Sequence, residues 1–327
     1  MRIVVALGGN ALLPRGSSPD AAPHALQVQH AAAALAPLAR EHELVITHGN
    51  GPQVGLLAME SAADPALTRP YPFDVLGAET QGMIGYWLTQ ALHNTRPGRP
   101  IGCLLNQTLI DPRDPAFGHP TKFVGPVYTR DQAQHLATDR GWAIAPDGDR
   151  WRRLVPSPEP HGIVEADLIT TLLDAGTIIV CAGGGGIPVV QQPDGTLHGV
   201  EAVVDKDLTA ALLAEQVKAD LLLILTDVPC IQLDHGTAHA RPIRATTPSR
   251  LRAGHFPAGS MGPKAEAAAR FVERTGAAAA IGALDDVTGI LLGTTGTRVH
   301  PDTVPTPRAE HARAAAVRVP ATRARAT

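Results

Sequence analysis

Short, unbroken apolar runs alternate along most of this chain with longer runs of helical period. Ile3–Leu7, Leu44–Thr47, Ile101–Leu105, Thr177–Cys181, Leu221–Leu225 and Ala278–Ile281 read as strands buried on both faces. A short pair at Gly289–Leu292 and Gly296–Val299 is expected to follow them. Between them the pattern predicts helices over Ala25–Arg40, from near Pro52, over Asp74–Asn94, near Glu165–Ala175, and over Lys206–Val217 and Gly262–Thr275. This alternation implies an α/β fold with a mostly parallel sheet covered by helices on both sides. Residues 111–160 break the rhythm: they are rich in Pro, Gly, Arg and Asp, and too long for an ordinary connection. An inserted subdomain is expected there. The Pro/Ala/Arg-rich stretch 301–327 reads as a disordered tail.

Several strands run straight into glycine-centred turns: Gly8-Gly9-Asn10, Gly49-Asn50-Gly51 and the run Gly183 to Gly186, with a further turn at Thr226-Asp227. Glycine lets backbone N–H groups come close to a ligand, and such turns at the ends of parallel strands converge on one crevice. A highly anionic ligand is expected, one that brings two phosphate-bearing groups together. The P-loop signature is absent, and Gly49-Asn50-Gly51 lacks the third glycine of a dinucleotide fingerprint. There is no HExxH helix and no GxSxG elbow.

Composition narrows the chemistry. The 327 residues are 44% hydrophobic, enough for a large core, and carry a formal net charge of -3. That balance, with only 3% aromatics, disfavours nucleic acid as a partner. No apolar stretch is long enough for a membrane span, and the N-terminus lacks a signal-peptide pattern, so a cytoplasmic protein is expected. The three cysteines, Cys103, Cys181 and Cys230, are far apart and form neither a disulfide framework nor a zinc site, so no protein-held metal is expected. Lysine is scarce: Lys122, Lys206, Lys218 and Lys264 are all the chain has. Lys206 and Lys264 open predicted helices, where a cation opposes the dipole and needs a compensating anion. Asp205 and Asp207 flank Lys206, and Asp207 is the expected helix cap. Lys218 falls at a helix end and reads as structural. Asn10, at the end of an apolar strand, is placed to donate to an oxyanion.

The segments VVALGGNAL, THGNGPQVG, ETQGMIGYWLTQAL, HPTKFVGP, RWRRLVPSPEP, CAGGGGIPVV, GVEAVVDKDLTAALLAE and GSMGPKAEAAARFVE resemble, in order over about residues 1–300, those of carbamate kinases in the amino-acid kinase superfamily. The resemblance implies a three-layer αβα sandwich around a mainly parallel sheet of about eight strands, with a small inserted subdomain. It implies reversible phosphoryl transfer between ATP and carbamate, giving ADP and carbamoyl phosphate, in arginine and carbamoyl phosphate catabolism. Mg²⁺ would be held mainly through the nucleotide phosphates, and the protein would be a homodimer. Residues 1–215 would bind carbamate and residues 216–300 the nucleotide. Lys122, Lys206, Asp207, Lys264 and Asn10 would be catalytic. Gly8, Gly9, Gly49, Asn50 and Gly51, with Gly183, Gly184 and Gly185, would bind substrate. Thr226, Asp227 and Met261 would join Lys206 and Lys264 at the nucleotide. Ala6 stands where many amino-acid kinases have a lysine, so Lys122 would supply that charge. HPTKF departs from the common NPTKP, and PAGSMGPK from an APGSMLPK-like run; neither removes a lysine. A kinase for another small acid, such as an acylated glutamate, and a catalytically weak nucleotide-binding regulator are the competing readings.

Overall fold

Alternate residues of the first strand face two different cores. Ile3, Val5 and Leu7 pack to one side and Val4 and Ala6 to the other, all fully buried. This is why the strand sequences lack polar alternation: neither face meets water. The computed structural model describes residues 1–13, 20–237, 239–257 and 259–302; the tail expected over 301–327 falls almost wholly outside them.

From the N-terminus the elements run β1 (Arg2–Leu7), α1 (Gly9–Leu12), α2 (Ala21–Glu41), β2 (Glu43–His48), α3 (Gly51–Ala63), α4 (Phe73–Asn94), β3 (Ile101–Cys103) and β4 (Gln107–Ile110). The inserted stretch supplies β5 (Lys122–Tyr128), α5 (Arg130–Arg140), β6 (Ala143–Asp147) and β7 (Arg150–Val155). Next come β8 (Pro160–Ile163), α6 (Ala166–Asp174), β9 (Ile178–Val180), β10 (Ile187–Gln191), β11 (Leu197–Gly199), α7 (Lys206–Gln216) and β12 (Leu221–Thr226). The chain closes with β13 (Gln232–Leu233), β14 (Arg241–Pro242), β15 (Ala245–Thr246), α8 (Pro248–Ala253), α9 (Met261–Thr275), β16 (Ala278–Ala283), α10 (Val287–Leu291) and β17 (Thr297–Val299).

The main sheet has eight strands in the order β15-β17-β16-β12-β1-β2-β9-β3. Every pairing is parallel except β16 with β17. One face carries α6, α7 and α9, whose Leu173, Leu213 and Phe271 join its core. The other carries α2, α4 and α10 through Leu35, Leu88 and Ile290. The expected three layers are therefore present. The chain builds outward from β1 through β2, then crosses back to lay β12 on the other side of β1. That reversal opens a crevice at the carboxyl ends of β1 and β12, the place where open α/β sheets bind ligands.

The inserted stretch folds as a three-stranded antiparallel sheet, β5-β7-β6, with α5 beside it. Helix α5 has reciprocal Thr129 and Gln132 caps at its start and a left-handed Gly141 at its end. A second sheet, β11-β10-β4-β8, lies outside the strand pattern read from the sequence. The expected strand Gly289–Leu292 is a correction: this stretch falls mostly in helix α10. Val287 and Ile290, three apart, both enter the core, so the helical period wins over a short apolar run.

Ile46 in β2 is completely buried between the layers. Ile46→Ala should lower unfolding free energy by about 2–5 kcal/mol, read from urea denaturation midpoints at unchanged slope.

Candidate active site

Strand ends and helix starts meet in one cleft of about 900 Å³. Gly8 and Gly9 line it from the end of β1, Thr226 and Asp227 from the end of β12, Lys206 and Asp207 from the start of α7. Met261 and Lys264 line it from the first turn of α9, and Lys122 enters from the inserted subdomain. Two helix N-termini therefore aim at the same space as three ammonium groups, and both features favour a multiply charged anion.

Asp207 ties two of these lysines together. Its Oδ1 accepts from Lys206 Nζ at 2.5 Å and its Oδ2 from Lys264 Nζ at 3.0 Å. Burial works to raise the Asp207 carboxyl, but the two lysines outweigh it and hold it well below the usual carboxylate range. Lys206 shows the opposite balance. Its burial, with Lys264 nearby, lowers its ammonium below the ordinary value despite the pairing with Asp207. The cap of α7 is Asp205, not Asp207 as expected. Its Oδ1 accepts the N–H groups of Asp207 and Leu208, while its Oδ2 accepts from Lys122 Nζ at 2.9 Å. Asp207 is thereby left to the lysines.

The first two glycine turns meet through one tight approach: a Cβ on Gly49 would lie 2.9 Å from the backbone of Gly9, so position 49 has no room for a side chain. Gly184 has a φ of 64° and packs on the Asn50 side chain, with its would-be Cβ 2.1 Å from Nδ2. Asn50 in turn donates to Thr80 Oγ1 at 2.9 Å. Gly183 lies against the His48 ring, and the Gly185 carbonyl accepts from Thr209 on α7 and from Thr108 on β4. Gly49, Asn50, Gly51, Gly183, Gly184 and Gly185 are thus outside the lining of the 900 Å³ cleft and adjoin it. Asn10 lies in α1, and its side chain is outside the described residues.

Other walls of the cleft were not visible as motifs. Val228, Cys230 and His235 after β12, with His255 and Phe256 before α9, come from irregular loops, and Gln232 and Leu233 from the two-residue strand β13, all too short to leave a periodic trace. Cys181, beside the glycine run, is buried among apolar residues, and that burial pushes its thiol pKa up. Among the described residues no group of three or more His, Cys, Asp or Glu is arranged to hold a metal ion. None of the described helices is long and apolar enough to cross a membrane.

The chain matches the model of the amino acid kinase family over residues 1–282. It is 50% identical to a carbamate kinase of Rhizobium meliloti over 300 residues, which is 91% of this chain and 92% of that protein. It is 49% identical to one from Haemophilus influenzae, over 91% and 96% of the two chains. Among solved structures, carbamate kinase from Giardia lamblia bound to AMP-PNP superposes with a TM-score of 0.85 at 38% identity, covering 92% of this chain and 98% of that one.

Burial holds the His48 imidazole down at about 4, against 6.5 ordinarily, and burial lowers His24 as well. Above about pH 6.5 both rings are neutral, folded or unfolded. Below it the unfolded chain takes up protons that the folded chain resists, so stability should fall as pH drops from about 6.5 towards about 4. Melting temperatures across that window check this, and His48→Gln should flatten the slope.

Proposed function

Because the chain belongs to the carbamate kinases of the amino acid kinase family, we propose that its cleft carries out their reaction through Lys122, Lys206 and Lys264. The reaction moves a phosphoryl group between ATP and carbamate, giving ADP and carbamoyl phosphate. The observation that carries the assignment of roles is the convergence of three of the chain's four lysines on one cleft.

Phosphoryl transfer asks for alignment and charge neutralisation more than for a general base. Lys206 and Lys264, spaced by Asp207, present two ammonium groups to the nucleotide phosphates and to the oxygen that bridges donor and acceptor. Lys122 approaches from the subdomain side and, with 45% of its side chain exposed, has room to leave Asp205 for the transferred group. The turn at Gly8-Gly9 would border the moving phosphoryl, and the adjoining turn at Gly49-Asn50-Gly51 would lie on the carbamate side of it. Gly183, Gly184 and Gly185 hold the second turn in place from behind. Thr226, Asp227 and Met261 bound the nucleotide. Carbamate then belongs with residues 1–215 and nucleotide with 216–300, although one sheet runs through both.

The donor set suits Mg²⁺ that arrives on the nucleotide. Asp205 and Asp207 are engaged by lysines, and no built carboxylate cage is present among the described residues. Bound there, the ion would neutralise phosphate charge, and the lysines would supply the remainder. We further propose a cytoplasmic homodimer that runs towards ATP. Near the β3 edge of the main sheet, Tyr86 on α4, Leu105 after β3 and Leu168 on α6 are large apolar side chains exposed to solvent.

Lys122→Ala, Lys206→Ala and Lys264→Ala should each reduce turnover by about 10²-fold or more. The assay is ATP formation from carbamoyl phosphate and MgADP. Full turnover in all three variants would overturn the site. Wild-type protein that binds MgADP yet forms no ATP would redirect the search to another acid.

A further inference from the structure

Lys122 reaches the cleft from a separate subdomain, so its position depends on how that subdomain is joined to the main body. Besides the pair of Glu159, at the foot of the insertion, with Arg270 of α9, two ion pairs among the described residues tie its β5-β7-β6 sheet to the body, and both end on the segment 201–207 that leads into α7. Lys122 pairs with Asp205, and Arg153 Nη2 pairs with Glu201 Oε1 at 2.7 Å. Arg153 is on β7, where it stands opposite Val124 of β5, two residues from Lys122. The same β7 also places Val155 directly opposite Lys122.

The guanidinium of Arg153 lies over two aromatic rings. The Phe73 ring, in the first turn of α4, has its centroid 4.9 Å from the guanidinium carbon. The Trp142 ring of the subdomain has its centroid 4.5 Å away, and Arg140 covers Trp142 at 5.2 Å. Glu201 closes the loop, because its other oxygen accepts the Phe73 N–H at 2.8 Å. Arg153 therefore bridges three elements: β7, the start of α4 and the approach to α7. A broad, weakly hydrated guanidinium can meet two rings and still donate to a carboxylate, which a compact ammonium does less well.

The apolar seam sets Val54, Phe73 and Leu76 of the body, with Leu57, Ala58 and Val203 beside them, against Val124 and Val155 of the subdomain, and Gly55 of α3 lies close against Gly125 of β5. Beside it lies a cavity of about 860 Å³ bordered by Tyr71, Phe73, Trp142 and Arg153. Apolar burial is non-directional and sets separation more than angle. The ion-paired guanidinium, in contact with both rings, adds the direction.

We propose that Arg153 is a positioning residue for phosphoryl transfer: in contact with the rings of Phe73 and Trp142 and tied to Glu201, it sets the angle at which the subdomain delivers Lys122 to the transferred group. This rests on the role given above to Lys122. Displacement of a reacting group by about 1 Å costs up to about 10²-fold in rate, so a residue far from the chemistry can matter in this way.

The test is a double-mutant cycle on the full-length protein, with kcat and KM measured for ATP formation and melting temperature followed in parallel. Arg153→Met should lower kcat about tenfold while KM for MgADP stays within about twofold, and Arg153→Lys should fail to restore the rate. In the Lys122→Ala background, Arg153→Met should change kcat by less than about twofold, because the group it positions is gone. Should Arg153→Met fold poorly, Glu201→Gln leaves the ring contacts and loosens only the tether, and it should show the same dependence on Lys122. A tenfold loss that persists without Lys122, or a wild-type kcat for both variants, would overturn the role of Arg153 alone. A Lys122→Ala protein that works at the wild-type rate would overturn the reading of Lys122, and the inference with it.

Discussion

One carboxylate, that of Asp207, decides whether the cleft is possible at all. Two ammonium groups brought together at the starts of two helices would repel each other and both dipoles. With one Asp207 oxygen on each lysine, Lys206 and Lys264 stand at a defined spacing and still point donors into the cleft. Much of the surrounding structure serves that arrangement. Helices α7 and α9 pack side by side, and the alanines along them (Ala210, Ala211, Ala265, Ala268) let the pair lie close to each other and to the sheet. The lowered ammonium pKa of Lys206 records how far from water the group has been taken.

The architecture delivers the remaining parts by simple means. A reversal of strand order at β1 and β12 opens the crevice, and the missing side chain of Gly49 lets the turn after β2 close up behind Gly9, which lines it. The antiparallel subdomain then reaches over with the third lysine. It is a separate small sheet with little core of its own, so its placement depends on a handful of contacts with the body, and not on the main sheet's packing.

Most of the main sheet could be read from the sequence because its strands are buried on both faces and so appear as continuous apolar runs. The lysines stood out because the chain has so few. Other features were hidden for physical reasons. The stretch Val287–Leu291 has too few residues for its helical period to show against its apolar content. Asp205 and Asp207 are alike as candidates for capping α7, and only the fold shows that Asp205 holds the backbone while Asp207 faces Lys264, which is 57 positions away. The segments 228–235 and 253–257 form cleft walls without any repeating pattern. Nothing in RWRRLV singles out Arg153, because its partners Phe73 and Glu201 lie far off along the chain.

Asp205 divides its work between its two oxygens: one secures the end of α7, the other receives Lys122. Lys122 thus has its counter-ion within the protein. In the role proposed for it, an incoming phosphoryl group would compete with a carboxylate already in position, and the exchange would leave the cap of α7 intact, with Lys206 and Asp207 in its first turn.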